Sequence, residues 1–281
     1  MIKYYKQNTG QKNMPSLRQS QNLAGGETMK TVFITGATKN TGLAIARRFA
    51  EAGYSIAISS RNEEAAKKTA AALAAEFGIH AEGYAMMLSS TQSIQETFRK
   101  LREDFGRLDV FVANSADLGI GADLLGTTEE AFDGIVDVNI KGTFFCCQQA
   151  AELMKETGGS IVTMGSVQGT GAVPGRTVYG ISKAAISTLV KYMAYELGEY
   201  GIRANNVVAG AIHSQRWDSL SQEEITARRS RYPAGRESTE AEIANAVYYL
   251  GSELSASVTG IDLTVDSGLT ACLLPYKKKG E

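Results

Sequence analysis

A short apolar run that breaks directly into a glycine-bearing turn and then into a helix constrains this chain more than any other feature. TVFIT at 31–35 continues through TGATKNTGLA at 35–44 into a stretch of helical periodicity. A run with no polar face and several β-branched residues predicts a strand covered on both sides, as in a parallel sheet. The pattern recurs along the chain. Further strand candidates are YSIAIS at 54–59, GYAMML at 83–88, DVFVA at 109–113, SIVTM at 160–164, RANNVVA at 203–209 and IDLTV at 261–265. Helical periodicity falls between them, at 41–52, 62–77, 91–105, 129–154, 178–198 and 239–250. This alternation predicts an α/β fold, a doubly wound sheet of seven parallel strands with helices on both faces.

Composition sets limits on this reading. The chain has 281 residues, 43% hydrophobic and 21% charged, enough to bury a sizeable core. No linker divides it, so residues 29–281 read as a single catalytic domain behind a polar extension at 1–28. That extension has the composition of a disordered arm, which either stays solvated or docks on the body or a neighbouring subunit. A formal net charge of −1 excludes a global attraction to nucleic acid or an anionic membrane. Neither a membrane-length apolar run nor a secretory core is present, and a cytoplasmic location is expected. The cysteines, two of them adjacent at Cys146 and Cys147, have neither metal spacing nor a disulfide framework, so no metal site is expected.

The 213–233 segment interrupts the strand–helix alternation just beyond a strand end, where α/β folds bind ligands. Ser221 followed by Glu224 predicts a capping box opening a short helix there. A long excursion at such a place reads as a lid over a substrate.

The strand, glycine turn and helix at 31–52 form a Rossmann-type beginning. Gly36 permits the tight turn and Gly42 a close backbone approach, and the helix N-terminus offers free amides to a pyrophosphate. Lys39, Asn40 and Thr41 lie between those glycines and are expected to touch the same group. The second strand ends in Ser59, Ser60, Arg61, with no acid to repel a 2′-phosphate. Arg61 and Lys39 therefore lean toward NADP, although the Ser60 hydroxyl also suits the ribose of NAD. Leu88, at the end of the third strand candidate, is expected to contact the cofactor.

The segment MGSVQGTGAVPGRTVYGISKAA at 164–185 carries a serine, a tyrosine and a lysine with no histidine or acid among them. Tyr179 and Lys183 share a helix face at i, i+4, and Ser166 follows a strand end on the same sheet edge as the glycine turn. A tyrosine of ordinary pKa, about 10, is a poor acid or base at neutral pH. A lysine ammonium and an oxidised nicotinamide beside it both favour the phenolate, which makes Tyr179 a proton carrier. A serine hydrolase is excluded, because Met164 and Gln168 stand where a nucleophile elbow needs glycines.

These residues together resemble the short-chain dehydrogenase/reductase family, from about residue 30 to residue 270. The resemblance rests on Thr35, Gly36 and Gly42, on Asn114 at a strand end, on Asn139 in VNIKG, and on Ser166, Tyr179 and Lys183. It implies an NAD(P)(H)-dependent interconversion of a ketone and a secondary alcohol. Tyr179 would pass the proton and Ser166 polarise the oxygen. Lys183 would lower the tyrosine pKa and bind the nicotinamide ribose, and Asn139 would hold a water that links Lys183 to solvent. Asn114, Gly210, Ile212 and Ser214 would complete the cofactor site. Asn40, Met87, Ala113 and Ala209 depart from the family pattern, and each weakens a cofactor contact rather than the chemistry.

Leu118, Ile120, Gln168, Val173 and Trp217 are expected to line the substrate pocket, and their mostly apolar character suits a bulky ketone. With the N-terminal extension, the chain is similar to bacterial hydroxysteroid dehydrogenases of the 20β type. The alternatives are a 3-oxoacyl-[acyl-carrier-protein] reductase, with Arg228, Arg229, Arg231 and Arg236 facing an acidic carrier, and a non-catalytic dinucleotide-sensing scaffold. Apolar residues on more than one face of the helices at 129–154 and 178–198 point to a homodimer or homotetramer.

Overall fold

The computed structural model describes residues 29–213, 217 and 219–272; the extension at 1–28 and Ser214 lie outside them. Seven strands form one sheet: β1 Thr31–Thr35, β2 Ser55–Ser60, β3 Ala81–Ala85, β4 Val110–Ala113, β5 Gly159–Ser166, β6 Ile202–Ala209 and β7 Asp262–Val265. The helices are α1 Asn40–Glu51, α2 Glu63–Phe77, α3 Thr91–Phe105, α4 Glu129–Val136, α5 Thr143–Met154, α6 Thr177–Glu196, α7 Gln222–Arg229 and α8 Glu240–Gly251. The strand order is β3-β2-β1-β4-β5-β6-β7, and every pair is parallel. Order reverses between β1 and β4, which opens a crevice at their carboxyl ends.

Burial explains why the strands carry no polar face. Val32 and Ile34 of β1 point into one core with Ile45 and Phe49 of α1 and Val247 and Leu250 of α8. Phe33, between them, points into the opposite core with Phe98 and Leu101 of α3 and Cys146 and Cys147 of α5. Burial pushes both thiols up, Cys147 to about 12, so they pack as small apolar groups.

Two expected elements differ from the structure. The strand expected at 83–88 lies at Ala81–Ala85, because its only neighbour, β2, ends at Ser60, opposite Ala85. Beyond that residue Met86 to Leu88 have no ladder to join. The helix expected at 129–154 is interrupted by a π-helical turn at Asp137–Gly142. That turn carries Asn139, in keeping with the tendency of π turns to mark functional positions.

Candidate active site

Neutral side chains hold the crevice open. Thr35 Oγ1 accepts the backbone N–H groups of Asn114 and Ser115, each at 3.0 Å, and Asn114 Nδ2 donates to the carbonyls of Thr35 at 2.9 Å and Gly36 at 3.2 Å. Gly36 sits at φ +65°, and a Cβ on Gly42 would collide with the Gly36 carbonyl. Asn40 stands at φ +50°, a left-handed conformation that asparagine tolerates better than most residues. The asparagine thus serves where the family pattern has glycine.

Helices α2, α3, α7 and α8 begin with side-chain caps at Asn62, Ser90, Ser221 and Thr239, whereas α1 starts at Lys39 with none. Its first-turn amides, from Asn40 to Gly42, are therefore free for an external acceptor. This uncapped turn against glycines that admit no Cβ fits the diphosphate of a dinucleotide. At the end of β2, Ser60 Oγ donates to the Asn62 carbonyl at 2.6 Å and accepts the Asn62 N–H at 3.0 Å. The Ser60 hydroxyl is thereby drawn into a local turn, while Arg61 and Lys39 stay exposed. Leu88 is half-buried, and its backbone lies against the π turn at Gly142.

The catalytic candidates converge from β5, α6 and the π turn. Lys183 is 6% exposed, and its Nζ donates to the Met164 carbonyl of β5 at 2.7 Å, 5.5 Å from the centre of the Tyr179 ring. Burial lowers its pKa to about 8. Ser166 Oγ accepts the backbone N–H of Gln168 at 3.2 Å. Asn139 is buried. Its Oδ1 accepts the Asp117 N–H at 2.7 Å, and its Nδ2 donates to the Asp117 carbonyl at 2.8 Å and to Ser182 Oγ at 3.0 Å. Ser182 Oγ in turn donates to the Tyr179 carbonyl at 2.7 Å. The Asn139 side chain thus braces the loop after β4 against α6.

Ser182 was not anticipated. A serine buried one turn after Tyr179 on an inward helix face is the signal that would have identified it.

At the other wall, a Cβ on Gly210 would meet Asp266 Cα at 2.8 Å, and the Gly210 N–H donates to the Val265 carbonyl at 3.0 Å. Ile212 bridges to Ser238, which ties the chain to the segment before α8. The His213 Nδ1 lies 2.7 Å from Glu237 Oε1. Glu237, 3% exposed, also accepts Arg229 Nε at 2.8 Å and Arg229 Nη2 at 2.7 Å. The Arg229 guanidinium is the main reason that its carboxyl is held at about 2. The capping box expected at Ser221 and Glu224 is present at the start of α7.

The expected pocket residues do not form one apolar wall. Trp217 is 6% exposed, with His213 at 5.9 Å and the guanidinium groups of Arg228 and Arg229 at 5.6 and 6.0 Å from its ring. It belongs to the interior of its own segment. Val173 and Ile120 lie open to solvent, and Leu118 is half-buried with its carbonyl accepting from Arg176. Gln168 is half-buried beside Ser166. Among the described residues no cluster of metal ligands occurs, and no helix is long and apolar enough to cross a membrane.

Residues 36–270 match a family model described as enoyl-(acyl carrier protein) reductase. The chain is 31% identical over 246 residues to a 3-oxoacyl-[acyl-carrier-protein] reductase of Staphylococcus aureus, covering 85% of this chain and 98% of that protein. It is 33% identical over 246 residues to D-threitol dehydrogenase of Mycolicibacterium smegmatis, covering 86% and 93%. The crystal structure of a short-chain type dehydrogenase/reductase from Mycobacterium marinum superposes with a TM-score of 0.79 at 30% identity, covering 86% of this chain and 96% of that one. With this sheet order and this crevice, the chain belongs to the short-chain dehydrogenase/reductase family, whose oxidoreductases work with NAD(P)(H).

Proposed function

We propose that this oxidoreductase interconverts a small-molecule ketone and a secondary alcohol, with Tyr179 as the proton carrier. The arrangement of Lys183 carries the reading: a buried ammonium, anchored on the Met164 carbonyl, shares the inner face of α6 with Tyr179. A reduced nicotinamide held in the crevice would supply the hydride equivalent for the carbonyl carbon. The Tyr179 hydroxyl gives its proton to the carbonyl oxygen, and the phenolate left behind is stabilised by the Lys183 cation. Ser166, whose oxygen already accepts the Gln168 N–H, uses its hydrogen to hold the same carbonyl oxygen. Oxidation runs the same transfers backward.

Asn40, Thr41 and the uncapped turn of α1 would hold the diphosphate, and Asn114 would keep the crevice in shape. Arg61 and Lys39 favour a 2′-phosphate electrostatically, which makes NADP(H) the proposed form. Residues 213–233 act as the lid. The outward Phe144 of α5 and Ile181, Tyr192 and Tyr195 of α6 are exposed apolar surface suited to pairing two copies.

The substrate narrows by what the residues support. The relatives above are a 3-oxoacyl reductase and a polyol dehydrogenase, neither a steroid enzyme, and the buried Trp217 removes the aromatic wall on which a steroid pocket depended. The acyl-carrier alternative has a relative in its favour, but its arginines are largely engaged, Arg229 with Glu237 and Arg236 with Glu242.

Replacing Tyr179 by Phe removes the proton donor alone. It is expected to lower kcat by about 10²- to 10⁴-fold while coenzyme affinity, read by fluorescence titration, stays the same. Undiminished turnover would reject the mechanism, and it would leave the scaffold alternative equally without support.

A further inference from the structure

Two consecutive residues of α6 anchor the helix in different directions. Lys183 reaches β5, where its Nζ donates to the Met164 carbonyl at 2.7 Å. Ser182 is fully buried and reaches the π turn, where its Oγ accepts from Asn139 Nδ2 at 3.0 Å. At about 3.6 residues per turn, Ser182 lies about 60° to one side of Tyr179 around the helix axis and Lys183 about 40° to the other. Turning α6 one way stretches the first anchor, and turning it the other way stretches the second. The pair therefore sets the direction in which Tyr179 leaves the helix.

The Ser182 anchor also closes a circuit that begins and ends at Tyr179. The Ser182 hydroxyl donates to the Tyr179 carbonyl at 2.7 Å. Asn139, on the other side of that hydroxyl, is tied to the Asp117 N–H at 2.7 Å and the Asp117 carbonyl at 2.8 Å. Asp117 Oδ1 accepts the Gly119 N–H at 2.8 Å, and Gly119 comes so near α6 that a Cβ on it would meet Tyr179 Cβ at 3.3 Å. Serine bonding back to a helix carbonyl does not stabilise the helix by itself, and alanine is the better helix former. The contribution of this hydroxyl lies in its link to Asn139. Both residues are buried, so cutting the link leaves polar groups that water does not readily satisfy.

We propose that Ser182 is a positioning residue: it holds the first turns of α6 on the π turn so that the Tyr179 hydroxyl is aimed at the reacting oxygen, without itself touching substrate or coenzyme. This inference rests on the proton-carrier reading above. A misplacement of about 1 Å in a reacting group costs about 100-fold in rate, and the loss of one anchor of two costs less.

A double-mutant cycle separates action through Tyr179 from a general effect on the fold. The full chain, Ser182→Ala, Tyr179→Phe and the double variant are assayed for reduction of 3-hydroxy-2-butanone and of an acetoacetyl thioester, with NADPH and with NADH, and coenzyme affinity is read by fluorescence titration. Ser182→Ala is expected to lower kcat by about 10-fold, with KM and coenzyme affinity unchanged, and to have no further effect once Tyr179 is Phe. Ser182→Cys, which keeps the volume and weakens both hydrogen bonds, is expected to fall between wild type and Ser182→Ala and covers an alanine variant that fails to fold. A folded variant with the kcat of wild type, an equal loss in both backgrounds, or a loss confined to KM or coenzyme affinity overturns the role of Ser182 while the proton-carrier reading stands. Undiminished turnover by Tyr179→Phe, or no turnover by wild type on any probe, removes both.

Discussion

Two regions meet at the carboxyl edge of the sheet and are held in opposite ways. The cradle at the ends of β1 and β4 is fixed by neutral hydrogen bonds from Thr35 and Asn114 and by glycines that exclude any side chain. Among the described residues between β6 and α8 the contacts are of another kind: Glu237 is buried against Arg229 and His213, and Arg228 and Arg229 flank Trp217. Neutral backbone contacts do not respond to pH or salt, whereas an ion pair depends on both. The turn at β1 and β4 is thus insensitive to conditions, whereas the contacts of Glu237 respond to them.

The strongest way to break the contrast is at Gly42. Gly42→Ala places a Cβ on the Gly36 carbonyl and within 2.7 Å of Asn114 Nδ2, so the turn has to open. Coenzyme affinity is expected to fall by about 100-fold, with about 1–3 kcal/mol of stability lost to overpacking. Fluorescence titration and urea unfolding measure the two, and unchanged affinity would show that the turn is not where the coenzyme binds.

Glu237→Gln attacks the other region. It leaves Arg229 without its carboxylate and is expected to cost about 1–3 kcal/mol and to raise KM, with coenzyme affinity unaltered. A parallel loss of coenzyme affinity would mean that the two regions form one unit.

The pH response sharpens the comparison. The Glu237 carboxyl is held at about 2, below the ordinary 4.5. Its contribution is therefore present above about 4.5 and lost as pH falls toward 2. Urea midpoints across that interval should show a steeper fall for wild type than for Glu237→Gln. Lys183 gives a slope of the same sign in a different window: its pKa is lowered from 10.5 to about 8 by burial, so the unfolded chain binds the extra proton between those values and stability rises with pH there too, as the penalty of a buried charge is relieved. Lys183→Met should flatten that rise while abolishing turnover. Asn40→Gly, at φ +50°, is expected to change least, by under about 1 kcal/mol in unfolding free energy.

Legibility followed the same division. The β1 turn, the capping box at Ser221 and the shared face of Tyr179 and Lys183 could be read from the sequence because each depends on neighbours a few residues away. The shift of β3 could not, since Ser60 of another strand ends the ladder. Nor could the π turn that sets Asn139, the Ser182 link, or the burial of Trp217, which sequence reasoning had assigned to an apolar pocket wall.

The sequence by itself determined the sheet of seven parallel strands, the glycine turn that opens α1 and the kind of reaction, because apolar periodicity, backbone freedom at glycine and the i, i+4 spacing are local properties. The tertiary structure alone decided which side chains are already taken and which are left over. It committed Asn139 to Asp117 and Ser182 and turned His213 toward Glu237, and among the described residues it left Gln168 Oε1 without a partner. Hydrogen-bond satisfaction is a property of the folded neighbourhood, set by groups that are distant in the chain and adjacent only after the sheet has closed over its helices.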